Sequence, residues 1–142
     1  MTRISLDQAN AVIAAAFDKG RELALKPLSA AVMDAGGHLL AFQRQDGAST
    51  LRPQIACGKA SSALALGVSS RKISDMAMER PSFIASLGAV SPHGLIPAAG
   101  GIIVVDDDGV PTGAVGITGD TSDSDETCTL AGIAAAGLKA QE

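Results

Sequence analysis

The sequence predicts an α+β domain in which helices pack against a mainly antiparallel sheet. Two pairs of short apolar segments flank glycine-containing turns, at residues 34–37 and 106–109, as in β-hairpins. Longer segments with apolar residues at helical spacing lie before, between and after these hairpins. Because hairpins rather than helical crossovers connect the strands, the sheet is expected to be antiparallel, with the long helices packed on it.

The first helix is predicted over residues 5–25, where apolar residues recur every three or four positions. Ser5 and Gln8 have the spacing of a capping box, in which each side chain accepts a hydrogen bond from the other residue's backbone N–H. Pro27 follows the helix and stops it, since proline has no amide hydrogen. Two strands are then predicted, over residues 28–33 and 38–42.

The middle of the chain predicts helices followed by a loop. Residues 51–66 are rich in Ala and Ser at helical spacing, and Gly67 stands where a C-cap is expected. Ser70 can cap a shorter helix over residues 71–79, and Pro81 can begin another turn that runs to about residue 87. Pro and Gly interrupt residues 88–99, which predicts a loop with a short strand near residues 95–96.

The last third predicts a second hairpin and a final helix. Strands are expected over residues 101–105 and 111–118, on either side of an Asp-Gly turn. The last helix is predicted over residues 123–138, with Ser122 or Asp123 as its cap. Cys57 and Cys128 fall inside predicted helices and form no CxxC pair, so buried free thiols are expected.

Length and composition exclude several classes of protein. A chain of 142 residues is expected to form a single domain over 1–142. Its net charge of −4 and its three Phe, with no Trp or Tyr, argue against nucleic-acid binding. No apolar segment approaches the roughly 18 residues that span a bilayer, so no membrane insertion is expected. The N-terminal segment lacks the pattern of a secretion signal, which predicts a cytoplasmic protein.

Two short patterns that could bind ligands have simpler structural interpretations. The glycines of residues 113–119 follow a GxxGxxG spacing, with too little chain after them for a dinucleotide-binding unit. The acids Asp120, Asp123, Asp125 and Glu126 crowd the start of the last helix, where they favour the helix dipole; a cation site is the alternative. No GxSxG, HExxH or zinc-type cluster of Cys and His is present.

Four side chains remain as candidates for ligand binding. His93 lies in a Pro/Gly loop and His38 follows the first turn; each could also be an exposed turn residue. Lys59 stands among small residues on a helix with little other charge, so it is expected to be buried against a polar partner or an anion. Arg52 shares that helix face.

Several segments together resemble one known family. They are residues 33–42 (MDAGGHLLAF), 46–48 (DGA), 59–63 (KASSA), 100–101 (GG), 113–119 (GAVGITG) and 125–126 (DE). In their order and spacing they are similar to the GlcG/HbpS family, whose domain also occurs at the C-terminus of PduO-type corrinoid adenosyltransferases. The resemblance implies a GlcG-like, profilin-like three-layer domain, with about five strands, helices on both faces and assembly into dimers or higher oligomers.

The resemblance also implies a small-ligand binding protein, with haem as the expected ligand. Imidazole is a common axial ligand of haem iron, and the chemistry of the chain points to His93 as that ligand. His38 is second, because its hairpin is expected to hold it at the sheet edge, away from a pocket between layers. Arg52 and Lys59 are expected to bind the propionates. Gly100 and Gly101 would let the backbone approach a flat ligand.

Two other functions stay open at this point. Family members also include proteins encoded with glycolate or aromatic catabolic enzymes, so the chain could act on a small carboxylate or aromatic intermediate. Arg52 and Lys59 would then hold the acid, and His93 or Asp46 would transfer a proton. The third possibility is an assembly module without a ligand. A homo-oligomer is predicted because the small residues of 56–65 and the glycine-rich strand near Gly113 and Gly116 provide smooth surfaces.

Overall fold

A five-stranded antiparallel sheet forms the centre of the computed structural model, which describes residues 3–142. Residues 1–2 of the predicted domain lie outside this range. The strands are β1 (Ser29–Asp34), β2 (Leu39–Arg44), β3 (Gly101–Val105), β4 (Pro111–Thr118) and β5 (Lys139–Ala140). Their order across the sheet is β2-β1-β4-β3-β5, with every neighbouring pair antiparallel.

Helices cover both faces of this sheet, which confirms the predicted α+β class and its three layers. The helices are α1 (Leu6–Glu22), α2 (Arg52–Leu66), α3 (Ser70–Glu79), α4 (Pro81–Leu87) and α5 (Ser122–Ala135). Helices α1 and α5 pack together on one face and enclose the larger apolar core, while α2 packs on the other face with α3 beside it. Within residues 3–142, no helix has the length and apolar character needed to cross a membrane.

Helix α1 begins as predicted and ends earlier. Ser5 and Gln8 form both hydrogen bonds of the capping box. The helix stops at Glu22 rather than at Leu25, because the chain reverses at Ala24, whose φ is +55°. The backbone N–H of Leu25 then donates to Gly20, which satisfies a carbonyl oxygen of the last turn.

Two predictions about the middle of the chain are wrong. Ser69, not Ser70, caps α3, and the Ser70 hydroxyl is buried, where it accepts a hydrogen bond from the Gly101 N–H at 2.7 Å. No strand forms at residues 95–96, because Ile96 packs against α2 and its N–H donates to Ser62 Oγ at 2.9 Å.

The C-terminal region also differs from the prediction. Thr121 caps α5, since its side chain accepts a hydrogen bond from the Ser124 N–H. The helix ends at Ala135 rather than at residue 138, and Gly137, with a φ of +73°, turns the chain into β5. Strand β5 then pairs with β3, which extends the sheet by one short strand.

Helix α2 lies unusually close to the sheet because glycines face it. A Cβ atom at Gly116 would overlap the carbonyl oxygen of Ala56, and one at Gly101 would overlap that of Lys59. Gly113 is enclosed in the same way, by Met33 and Ile4. These glycines and the face of α2 that meets them are therefore covered within the same chain, while Ala65 on the other face of α2 is exposed; the homo-oligomer stays a prediction.

Candidate functional site

The two histidines of the chain line one open cavity of about 410 Å³. Its walls come from the β1–β2 turn, the outer face of α2 and the loop after α4. The lining residues are Ala35, Gly36, Gly37, His38, Ser61, Leu64, Ala65, Pro92 and His93. The volume is within the range of sites for small molecules and cofactors, roughly 300–1,000 Å³. His38, which was expected at the sheet edge and away from a pocket between the layers, directly precedes the edge strand β2 and lines this cavity.

The β1–β2 turn has a fixed geometry that depends on Asp34. Its Oδ1 accepts hydrogen bonds from the backbone N–H groups of Gly36 (2.9 Å) and His38 (3.0 Å). Its carbonyl oxygen accepts from the N–H of Gly37, which has a φ of +81° that glycine adopts without strain. Together these bonds fix the backbone from which the His38 side chain projects.

The His38 ring is also held by contacts of its own. Its Nδ1 lies 3.3 Å from the Asp34 carboxylate, and the ring covers Gly36 so closely that a Cβ there would be 2.9 Å from Cε1. Hydrogen bonding by the His38 N–H is the main cause that lowers the pKa of Asp34, and the Gly36 N–H and the His38 ring add to it. Asp34 is therefore a carboxylate at neutral pH.

His93 reaches the cavity from a loop that α2 and α4 anchor. Ser91 Oγ donates a hydrogen bond to the Leu87 carbonyl oxygen at 2.7 Å, and the Ile96 N–H donates one to Ser62 Oγ of α2. The His93 side chain is exposed, and none of the residues 3–142 forms a hydrogen bond with its ring. The apolar part of the wall between the histidines is formed by Leu64, Ala65 and Pro92.

His38 also borders a second cavity, of about 480 Å³, on the other side of the same turn. This cavity is lined by Arg3, Ile4, Asp34, Ala35, Gly36, His38, Leu40, Pro111 and Thr112. His93 is absent from its walls. The β1–β2 turn thus separates two open cavities, of which one contains both imidazoles.

Lys59 is buried, as predicted, and its partner is a carboxylate. Its side chain is 3% exposed, and Nζ donates to Asp125 Oδ2 and to the Ile117 carbonyl oxygen, both at 3.0 Å. The Lys59 side chain passes Gly100, where an added Cβ would lie 2.9 Å from Nζ. Burial lowers the pKa of Lys59 and raises that of Asp125, while the attraction between the two charges opposes both shifts.

The other predicted site residues lie apart from the histidines. Arg52 Nη1 donates to Thr118 Oγ1 at 2.7 Å. Thr118 is at the C-terminal end of β4, whereas Asp34, next to His38, pairs with Gly113 near the other end of that strand. Gly100 and Gly101 lie against Lys59 rather than against a cavity. Asp46 borders a separate cavity of about 520 Å³.

The acids at the start of α5 have protein partners. Arg71 forms ion pairs with Asp123 and Glu126, and Asp125 accepts from Lys59 and from the Asp120 N–H. Cys128 is buried and Cys57 is half-buried, and both are free thiols.

Sequence analysis did not identify Asp34 as part of the candidate site. A signal was present, because both hairpin turns follow the pattern Asp-x-x-Gly-x, in residues 34–38 and 106–110. The two turns differ at their second, third and fifth positions, which are Ala35, Gly36 and His38 in the first turn. That difference marks the first turn as the specialised one.

Comparison with known proteins supports the same family as the sequence motifs. The family model described as "Haem degrading protein HbpS-like" matches residues 4–134. The structure is similar to that of a PduOC–haem complex, with a TM-score of 0.87 and 20% identity, over 99% of this chain and 100% of that one. At this identity the likeness shows the fold alone.

Two further solved structures are similar over almost the whole chain. The Klebsiella pneumoniae protein ORFY, of family DUF336, has 26% identity and a TM-score of 0.85, over 96% of this chain and 93% of that one. A double mutant of Streptomyces reticuli HbpS has 27% identity and a TM-score of 0.81, over 94% of this chain and 87% of that one. No curated protein matches the chain.

Proposed function

The chain belongs to the HbpS-like family, and we propose that it binds haem in the cavity lined by His38 and His93. One observation carries the proposal: the only two histidines of the chain, distant in sequence, line the same open cavity. Imidazole is a common axial ligand of haem iron. The description of the family as haem-degrading supports the same ligand.

The cavity residues fit a flat, largely apolar ligand with charged substituents. Leu64, Ala65 and Pro92 provide apolar surface, and Gly37 adds no side chain to the wall that the turn forms. The lining contains no Lys or Arg, and the cavity is open, so propionates would remain in water. Arg52 and Lys59 are consequently not part of the proposed site.

Bound haem would supply a redox-active iron centre, and the protein would bind and orient it. The two imidazoles would offer nitrogen donors, and the apolar surface of α2 would remove part of the porphyrin from water. The alternative function, on a small carboxylate, requires Arg52 and Lys59 to hold the acid. Lys59 is enclosed and paired with Asp125, so the structure does not favour that alternative.

Haemin titration of two matched variants tests the proposal. Ala65 lies in the cavity wall on α2, and Ala134 is an exposed alanine on α5, on the opposite side of the sheet. We expect Ala65→Trp to weaken haemin binding by about tenfold or more, or about 1.4 kcal/mol, because the indole fills the cavity. Ala134→Trp should leave the affinity unchanged. Absorption in the Soret region measures both.

Two results would contradict the proposal. The first is a wild-type titration without a saturable spectral change. The second is equal affinity in the wild type, Ala65→Trp and Ala134→Trp, since haemin would then bind at another surface. Melting temperatures of the three proteins show that each is folded.

A further inference from the structure

We propose, within the haem site proposed above, that His38 ligates the iron through Nε2, and that Asp34 and Gly36 position its ring for this role. His93, ranked first on sequence grounds, is then a wall of the cavity rather than the required ligand. The inference comes from comparing the two hairpin turns of this chain, which share one backbone geometry and differ in their side chains.

The two turns have the same hydrogen bonds. In the second turn, Asp106 Oδ1 accepts from the N–H groups of Asp108 and Val110, both at 2.9 Å, as Asp34 Oδ1 accepts at the equivalent positions of the first turn. The Asp106 carbonyl oxygen accepts from Gly109, which has the same φ of +81° as Gly37. The Asp side chain is therefore needed for the turn itself in both hairpins.

Two of the three differences between the turns concern the His38 ring; at the second position, Ala35 stands where the other turn has Asp107. The fifth position is Val110 in one turn and His38 in the other, and the third is Asp108 in one and Gly36 in the other. Because Asp108 occupies that position without disturbing the turn, the backbone does not require glycine there. Glycine at position 36 lets the imidazole lie over the turn, since an added Cβ would be 2.9 Å from Cε1 and the exposed ring would have to shift.

Asp34 also determines which nitrogen of His38 is available. A carboxylate only accepts hydrogen bonds, so its position 3.3 Å from Nδ1 favours the tautomer that is protonated on Nδ1. Nε2 then carries the free lone pair that binds a metal. Carboxylates in this position fix the tautomer and orientation of histidine ligands and increase their basicity.

His93 has no such support. Among residues 3–142 no group is bonded to its ring, so nothing selects its tautomer or orientation. The exposed His38 side chain, at 82% exposure, is ordered by Asp34 and Gly36 and remains accessible to a ligand. Of the two imidazoles, only His38 is held in advance for metal binding.

Asp34→Asn tests the positioning role, with Asp106→Asn as the matched control. The Asn oxygen can still accept from the backbone N–H groups, so the turn is kept in both variants. In Asp34→Asn the amide NH₂ faces Nδ1, which favours the other tautomer. In a His93→Ala background His38 is the only histidine, so ¹⁵N NMR at pH 8 reports its tautomer directly.

The expected NMR result is a protonated Nδ1 in the wild-type turn and in Asp106→Asn, and a shift towards protonated Nε2 in Asp34→Asn. Haemin affinity should fall about 10–100-fold in Asp34→Asn, which is the usual effect of removing a group that hydrogen-bonds to a histidine ligand of a metal. It should remain unchanged in Asp106→Asn. Gly36→Ala should also weaken binding, because the added methyl group displaces the ring.

The possible failures are distinct. Absence of haemin binding by the wild type would overturn the proposed function and this ligand assignment together. Binding that survives His38→Ala and Asp34→Asn but is lost in His93→Ala would overturn the assignment of His38 while leaving haem binding intact. An unchanged tautomer in Asp34→Asn would overturn the role of Asp34.

Discussion

Among individual residues, Lys59 shows how a buried charge connects the layers of this fold. It extends from α2 past Gly100 to Asp125 on α5, so the ion pair joins helices on opposite faces of the sheet. Asp125 Oδ1 also accepts from the Asp120 N–H, and Lys59 Nζ donates to Ile117. The hydrogen bonds to both charged groups compensate for part of the cost of their desolvation.

Lys59→Met should destabilise the protein strongly. Loss of the ammonium leaves Asp125 buried without its counter-charge, which costs about 3–5 kcal/mol in comparable cases. Arg71→Met is the matched control, because its ion pairs with Asp123 and Glu126 involve an arginine that is 45% exposed; it should cost about 1 kcal/mol or less. Urea unfolding measures the loss of unfolding free energy in both variants. Equal losses would contradict the claim that the buried pair contributes more than the exposed one.

The sequence predicted the burial of Lys59 but not the role of Asp34. Small residues around Lys59 on α2 left an isolated charge that had to meet a partner, whereas its partner Asp125 was assigned to the helix start. Asp34 was recognised only as a turn residue, because its effect on His38 depends on the position of a ring in space. A contact of this kind, between a supporting residue and a ligand-binding side chain, has no periodic pattern in a sequence.

Among the secondary-structure elements, α2 depends most on the exact residues that face it. The glycines at positions 101 and 116 bring its backbone next to that of the sheet, as the overlap of added Cβ atoms shows. This contact places Ser61, Leu64 and Ala65 in the wall of the candidate cavity. The position of one wall of the site is therefore set by glycines on the other side of the helix.

Gly116→Ala should move α2 away from the sheet. The added methyl group meets backbone atoms of Ala56 and Ala60, which cannot rotate away, so we expect a loss of about 1–3 kcal/mol from overpacking. Gly88→Ala adds the same methyl group where nothing lies within 4 Å, at helical backbone angles. That control should be neutral or slightly stabilising. Similar thermal unfolding of the two variants would contradict this account of the α2 contact.

Most elements could be predicted because their signals are local. The capping box at Ser5, the αL glycine at Gly67 and the two glycine-containing turns predicted helix and strand positions to within a few residues. Strand β5 was not predicted, since its two residues pair with β3 only after the whole sheet has formed. The prediction of a strand at residues 95–96 was wrong because Ile96 packs against Gly58 of α2.

For the molecule as a whole, the proposed function depends on how the sheet ends. Strand β2 is an edge strand, and the turn before it lines the same cavity as the loop that carries His93. Two histidines that are far apart in sequence are thereby placed around one cavity. The sequence motifs and the family match could indicate haem, but only the assembled fold shows where these side chains meet.

The location of iron in a haemin complex tests the central claim most directly. Diffraction data from crystals of the haemin complex, collected at the iron absorption edge, give the position of the iron without any assumption about how the haem is oriented. We predict one iron site in the cavity between the β1–β2 turn and the loop of His93, next to Nε2 of His38. Iron in the cavity of Asp46, in the cavity of Arg3 and Thr112, or elsewhere on the surface would contradict the account.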